Sequence, residues 1–366
     1  MKSVIKSEKL SGNYYHYGSI ISALKKRRRT PPKDCFGTPL IKKLFALCIL
    51  IAILATGGFV YWAQQPITLE PQAPIEFTVA VGSTVRGTAQ QIANSGVPMN
   101  PLLFAWLARL TGRASKLKAG TYDLKPGTTP LRLVEQLVRG EFAQESLAII
   151  EGWTFQQMRQ AIAANPALKH ETEHWSDREL LQKITLDYKD AEGLFFPDTY
   201  LFAKGSSDLQ VYKQANQQMM KRLADGWARR DPDAPLKSPY EALILASIVE
   251  KETGQKSERG MIAGVFANRL RRGMLLQTDP TVIYGMGDKY QGQIHKRDLL
   301  TDTPYNTYTR PGLPPTPIAL PGEASLDAAL NPAKTDALYF VSRNDGTSKF
   351  SDNLDEHNHA VNQYQK

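Results

Sequence analysis

The chain has 366 residues, with 45 Lys/Arg against 36 Asp/Glu and a formal net charge of +9. Eleven of the bases and two of the acids lie in the first 43 residues, so the whole excess is there and the rest carries 34 charges of each sign. The balance excludes a basic nucleic-acid-binding domain and leaves a basic tail instead.

Directly after Lys43 come nineteen residues, 44–62, without a charge. As a helix they would be roughly 28 Å long, enough to cross a bilayer core. Tyr61 and Trp62 stand at the far end, where aromatic belts form. Basic residues ahead of the span predict a cytoplasmic N-terminus and translocation of everything that follows. The long preceding tail and the lack of a small-x-small site favour a retained single-pass anchor over a cleaved signal. In another setting the Lys25–Arg29 run would suggest nuclear import or nucleic-acid contact; upstream of a span, the topological reading is simpler. Cys35 and Cys48 lie before and within the span, so the exported part has no thiol for a disulfide or a metal site.

The expected organisation is a tail over 1–43, a span over 44–62, a Pro-rich stalk over 63–74, a βα subdomain over 75–145 and a larger domain over 146–366. An alternating strand is predicted at 75–79. It leads into Gly82-Ser-Thr84, with Gln90, Ile92 and Ala93 beyond. Seventy residues later Gly152-Trp-Thr154 leads to Gln160, Ile162 and Ala163, and a partial copy reads Gly127-Thr-Thr129 with Leu137. In each, a turn glycine precedes a threonine suited to cap a helix. The first copy is similar to the opening of a LysM module, a class that binds N-acetylglucosamine-containing glycans; a plain packing unit reads equally well.

Residues 176–230 are mostly helical in pattern. The aromatic segment Glu192-Gly-Leu-Phe-Phe-Pro-Asp-Thr-Tyr200-Leu-Phe202 interrupts them, as a turn and strand end in the core or as a cleft wall. Residues 238–254 then predict a helix with both ends marked. Ser238 is the N-cap, Pro239 takes the first position, Glu241 completes a capping box and Gly254 is the stop. From Ala242 to Val249 only Ser247 is polar, so the helix should be buried. Glu250 emerges one turn after Ala246 and Ser247, two small residues expected to leave room beside it. A carboxyl group on a buried helix beside open space is suited to general acid work, since burial favours the neutral form. The plainer alternative is a solvated last turn, Glu250-Lys251-Glu252.

A second helix is expected over 257–272 with Gly273 as its stop. Beyond it, Gln277, Tyr305, Asn306 and Tyr308 are amide and aromatic residues of the kind that bind sugar edges and faces, and also ordinary loop residues. No phosphate loop, dinucleotide fingerprint, His-Glu-x-x-His helix or nucleophile elbow occurs. His357 and His359 should face solvent in a polar tail, and neither a metal nor a cofactor is expected.

Five ordered blocks resemble the YceG-like family of endolytic murein transglycosylases. They are 245–253, Asn268-Arg-Leu270, 276–286, Tyr305-Asn-Thr-Tyr308 and Gly312-Leu-Pro-Pro315, within a match from about residue 75 to the end. The N-terminal tail is long for that family. The resemblance implies an α+β protein with a single transmembrane helix, a LysM-like βα subdomain and a mixed α+β catalytic domain. It implies cleavage of the β-1,4 bond between N-acetylmuramic acid and N-acetylglucosamine in peptidoglycan strands, leaving 1,6-anhydro ends. Glu250 falls on the family's catalytic glutamate, as acid and then base, with Glu252 its rival. Gln277, Asp279, Tyr305 and Asn306 become candidates for orienting substrate, and Glu192 for entering the cleft. The bacterial inner membrane and cell-wall synthases are the implied location and partners. A hydrolytic muramidase and a non-catalytic peptidoglycan scaffold are the alternatives.

Overall fold

The computed structural model describes residues 39–69 and 73–365. Most of the predicted basic tail therefore lies outside the described residues. Helix α1, Pro39–Gln64, contains a candidate span, Ile41–Gln64, of 24 residues, within which an 18-residue window has mean hydropathy 2.4. It is a candidate membrane anchor by length and composition, and it begins a few residues before the predicted 44–62 span.

The unit from Ala63 onward is mixed α+β and contains three separate two-stranded antiparallel sheets. Its first part runs β1 (Ile75–Val79), α2 (Val85–Asn94), α3 (Pro101–Leu110), β2 (Gly120–Leu124) and α4 (Pro130–Arg139), with β1 antiparallel to β2. Two helices thus bridge two paired strands. Ile67 and Leu69, in the predicted stalk, are buried, and the Ile67 N–H donates to the Thr128 carbonyl at 2.9 Å. That part of the stalk is docked rather than free.

The repeat seen in the sequence is a repeated turn. Gly82, Gly127 and Gly152 have φ of 79°, 84° and 78°, which favours glycine. Two residues after each, Thr84, Thr129 and Thr154 cap α2, α4 and α5 (Phe155–Ala163). Each turn follows a strand, the third being β3 (Gln144–Ala148), which pairs with β4 (Thr199–Ala203).

The larger part continues with α6 (Asp177–Gln182), α7 (Asp208–Ala228), α8 (Pro239–Glu252), α9 (Arg259–Arg271), α10 (Asp279–Met286), α11 (Lys296–Leu300) and α12 (Glu323–Leu330). The hairpin β5–β6 (Tyr339–Ser342, Ser348–Ser351) and α13 (Leu354–Tyr364) follow. Helix α8 is central: every residue from Ala242 to Val249 is buried, in one core with α5, α7, α9 and α12. Its predicted ends need two corrections. Ser238 caps through the Glu241 N–H, but the Glu241 carboxylate accepts from Lys237 N–H, so no capping box closes. Thr253, extended at φ −144° and ψ 134°, ends the helix, and Gly254 is not left-handed.

The 192–202 segment is core from Glu192 to Pro197 and at Tyr200 and Phe202, while Asp198, Thr199 and Leu201 are exposed. Leu194, Phe195 and Phe196 are buried, and Phe195 stacks on Phe155 at 5.0 Å. His357 is not in a solvated tail: it lies on α13 and stacks against Tyr339 at 5.0 Å, half-buried.

Candidate active site

Glu250 occupies the last turn of α8 with its side chain 5% exposed. Its Oε1 accepts from Arg259 Nη2 at 2.8 Å and its Oε2 from the Gly322 N–H at 2.9 Å. Arg259 opens α9 and is equally buried, with Glu151 4.0 Å from its guanidinium. Gly322 is the N-cap of α12, so the carboxylate sits at the positive end of that helix. Glu151 lies close to Gly322, and a Cβ at position 322 would require its carboxylate to shift.

The room predicted beside Ala246 and Ser247 exists, but the chain itself fills it. An irregular segment, 316–322, runs along α8. Ile318 N–H donates to Ser247 Oγ at 3.0 Å, Leu320 exchanges main-chain bonds with Gly152 and Trp153, and Gly322 closes on Glu250. The space belongs to this strip, and the acid is clasped by donors rather than facing an empty apolar gap.

Two further acids of this unit are shielded from solvent, Glu252 at the end of α8 and Glu192 beside α10. Glu252 accepts from the Thr278 hydroxyl. Burial pushes it up to about 7 against the opposing Thr278 bond, with Asp279 adding to the rise and Arg269 reducing it. Glu192, 4% exposed, accepts from Phe155 N–H at 3.0 Å and from the Tyr284 hydroxyl at 3.1 Å. Burial likewise pushes it up to about 7.

The predicted substrate residues divide among these acids. Gln277 and Asp279 are exposed and flank Thr278, the partner of Glu252. Gln277 holds φ at 50° while its side-chain oxygen accepts from Arg269 Nη1 at 3.3 Å; Asp279 accepts from the Tyr308 hydroxyl. The Tyr305 ring meets Tyr284 edge-on at 4.9 Å, and its hydroxyl bonds Thr316, so it belongs with Glu192. Asn306 is fully buried. Its amide nitrogen donates to the carbonyls of Asp298, Leu299 and Thr301, and its oxygen accepts from Tyr308 N–H. That side chain braces the loop and turns no amide outward.

Sequence reasoning missed Arg259, Glu151 and Gly322. Arg259 carried a signal: it precedes Ile262, Ala263 and Phe266 at helical spacing, so a cation stands on the buried stripe of α9. Among the described residues no group of three or more His, Cys, Asp or Glu side chains could hold a metal.

Glu192 makes stability depend on pH. Its folded value of about 7 exceeds the ordinary 4.5, so between these the folded chain holds the extra proton. This contribution is complete below about pH 4.5 and is lost as pH rises through about 7, on the order of 3 kcal/mol in all. Urea unfolding at pH 5 and pH 8 should show a smaller difference in Glu192→Gln than in wild type; equal differences would refute the assignment.

A glutamate near the end of a buried helix, clasped by an arginine and a helix N-terminus, is an arrangement suited to carboxyl chemistry. Its family follows from comparison with known proteins. The YceG-like family model matches residues 77–363, and the chain belongs to that family. It is 30% identical over 331 residues to the endolytic murein transglycosylase of Bacillus subtilis (strain 168), covering 85% of this chain and 91% of that one. It is 27% identical over 360 residues to the Streptococcus pneumoniae serotype 2 protein of the same name, covering 87% of this chain and 64% of the longer relative. A crystal structure of a yceG-like protein from Listeria monocytogenes is similar at TM-score 0.51 and 32% identity, covering 78% of this chain and 98% of that one.

Proposed function

We propose that this chain is a membrane-anchored endolytic peptidoglycan lytic transglycosylase. It would cut the β-1,4 bond between N-acetylmuramic acid and N-acetylglucosamine and leave 1,6-anhydro-muramic ends. Family membership and the names of its relatives support the reaction class. The observation that carries the residue assignment is the clasp around Glu250, which fixes one carboxyl group at the end of the most buried helix.

In its protonated form Glu250 gives a proton to the glycosidic oxygen, and the bond from that oxygen to C1 breaks. The carboxylate left behind keeps its bonds from Arg259 and Gly322, which ease the donation by stabilising the charge that forms. It then takes the proton of the muramoyl C6 hydroxyl as that oxygen bonds to C1. No water enters, so no paired carboxylate of the glycoside hydrolase kind is required. Gln277, Asp279 and Tyr305 would orient the strand; Asn306 would act by holding their loop. The β1–α2–α3–β2 unit would serve as a LysM-like glycan contact.

A hydrolytic muramidase is the second reading, favoured by Glu192 and Glu252, two acids that retain protons near neutral pH. Mass spectrometry of the products separates the two: anhydro ends support the lytic reaction, and reducing ends the hydrolytic one. A scaffold without catalysis would leave the cell unaffected by Glu250→Gln.

The single span would place the N-terminus in the cytoplasm and the catalytic part outside the inner membrane, near nascent strands and the synthases that extend them. A soluble 65–366 form retains the docked Ile67 and Leu69. It should cut strands in vitro yet fail to support normal wall growth when exported untethered; full rescue would sink the tethering idea.

A further inference from the structure

A cleft of about 690 Å³ lies between β4 and α7 and contains none of the predicted site residues. One wall is the free edge of β4; the other is a polar face of α7. Among the described residues β4 pairs with β3 alone. Ile149 N–H donates to the Asp198 carbonyl, and Lys204 N–H to that of Ala143. With the antiparallel register, this alternation points the main-chain groups of Tyr200 and Phe202 at β3, and those of Thr199 and Leu201 into the cleft. Thr199 N–H turns back to the Asp198 carboxylate, leaving the Thr199 carbonyl and both polar groups of Leu201. The Leu201 side chain is 58% exposed. On the facing wall Gln214, Gln217, Gln218 and Lys221 recur at helical spacing and share a face. Gln214 and Gln217 are exposed and bond no other described side chain.

Two links through intervening residues connect this part of the fold with the Glu250 clasp. Arg222, among its lining residues, pairs with Glu323 at 3.1 Å, and Glu323 follows Gly322, whose amide holds the Glu250 carboxylate. On the strand side, the chain leaves β3 at Ala148 and reaches Glu151, which lies against both Gly322 and Arg259. A second cleft of about 640 Å³, around Asn268, Arg271 and residues 332–336, has no such connection.

We propose that the β4–α7 cleft is a subsite for acetamido sugars flanking the scissile bond, an inference that rests on the glycan-cutting reading above. An acetamido group presents an N–H and a carbonyl on opposite sides, with a methyl at its end. A strand-edge carbonyl on one wall and a glutamine NH₂ on the other satisfy both polar groups at once. Leu201 supplies apolar contact for the methyl. The walls also suit a neutral ligand: Lys221 is matched by Asp225 along the cleft, and Arg222 is matched by Glu323. A carboxylate-bearing peptide would require a cation in excess.

The test uses full-length protein in detergent, with Gln214→Ala and Gln217→Ala combined. Both side chains are exposed on a helix, and alanine keeps the helix. The probe is a peptide-free β-1,4 tetramer of N-acetylglucosamine, titrated calorimetrically against Glu250→Gln protein with and without the pair. KM and kcat on uncrosslinked strands accompany it. Losing two hydrogen bonds should weaken tetramer binding about tenfold and raise KM similarly, with kcat nearly unchanged. Unchanged binding and KM in the double variant would overturn the subsite, as would a tetramer that does not bind at all. Equal affinity for the de-N-acetylated tetramer would overturn the acetamido assignment. Failure of wild type to cut strands would instead sink the transglycosylase reading, while the titration still decides the subsite.

Discussion

Replacing Glu250 by glutamine is expected to lower strand cleavage by about 10²–10⁴, the cost of removing a general acid. The amide keeps the shape of the side chain and one acceptor for Gly322 N–H but gives up the charge paired with Arg259, so cleavage is compared at a temperature where thermal unfolding shows the variant folded. Uncrosslinked glycan incubated with wild type should yield anhydro-muramic ends by mass spectrometry, and incubation with the variant almost none. Glu252→Gln is the necessary companion. Glu252 holds its proton near neutral pH and sits between the exposed Gln277 and Asp279 through Thr278. A larger loss in Glu252→Gln than in Glu250→Gln would move the acid two residues along the same helix.

The ambiguity between these glutamates shows how far the sequence could be read. Helix α8 was legible because its start is marked by Ser238 and Pro239 and its middle is apolar on every side. The three Gly-x-Thr turns were legible because a left-handed glycine and a threonine cap are local chemistry. What fills the space beside Ser247 was not legible: the strip 316–322 comes from some seventy residues away and is held by main-chain bonds, which any sequence can supply. Asn306 illustrates a second limit. An amide suited to a sugar hydroxyl is equally suited to three loop carbonyls, and only the burial of the side chain decides between them. Arg259 illustrates a third, since its charge marks an exception on an apolar stripe without naming its partner.

That partner provides the second large effect. Glu250 and Arg259 are each 5% exposed in their side chains and bonded at 2.8 Å, so removing either one strands a buried charge. Arg259→Met should cost about 3–5 kcal/mol, lowering the melting temperature by on the order of 10 °C. Glu151 worsens the loss, because the guanidinium also lies 4.0 Å from its carboxylate. Adding Glu250→Gln to Arg259→Met removes the stranded carboxylate and should restore much of the stability. Thermal unfolding of the four proteins gives the coupling directly. Additive losses would mean that the pair is not an interacting unit and that the clasp does not hold the carboxylate. Strong coupling, together with loss of cleavage in Arg259→Met even at temperatures where it stays folded, would tie the same contact to both stability and catalysis. The clasp would then explain why a charged residue stands on the buried stripe of α9: the site needs a fixed carboxylate more than the core needs another apolar side chain.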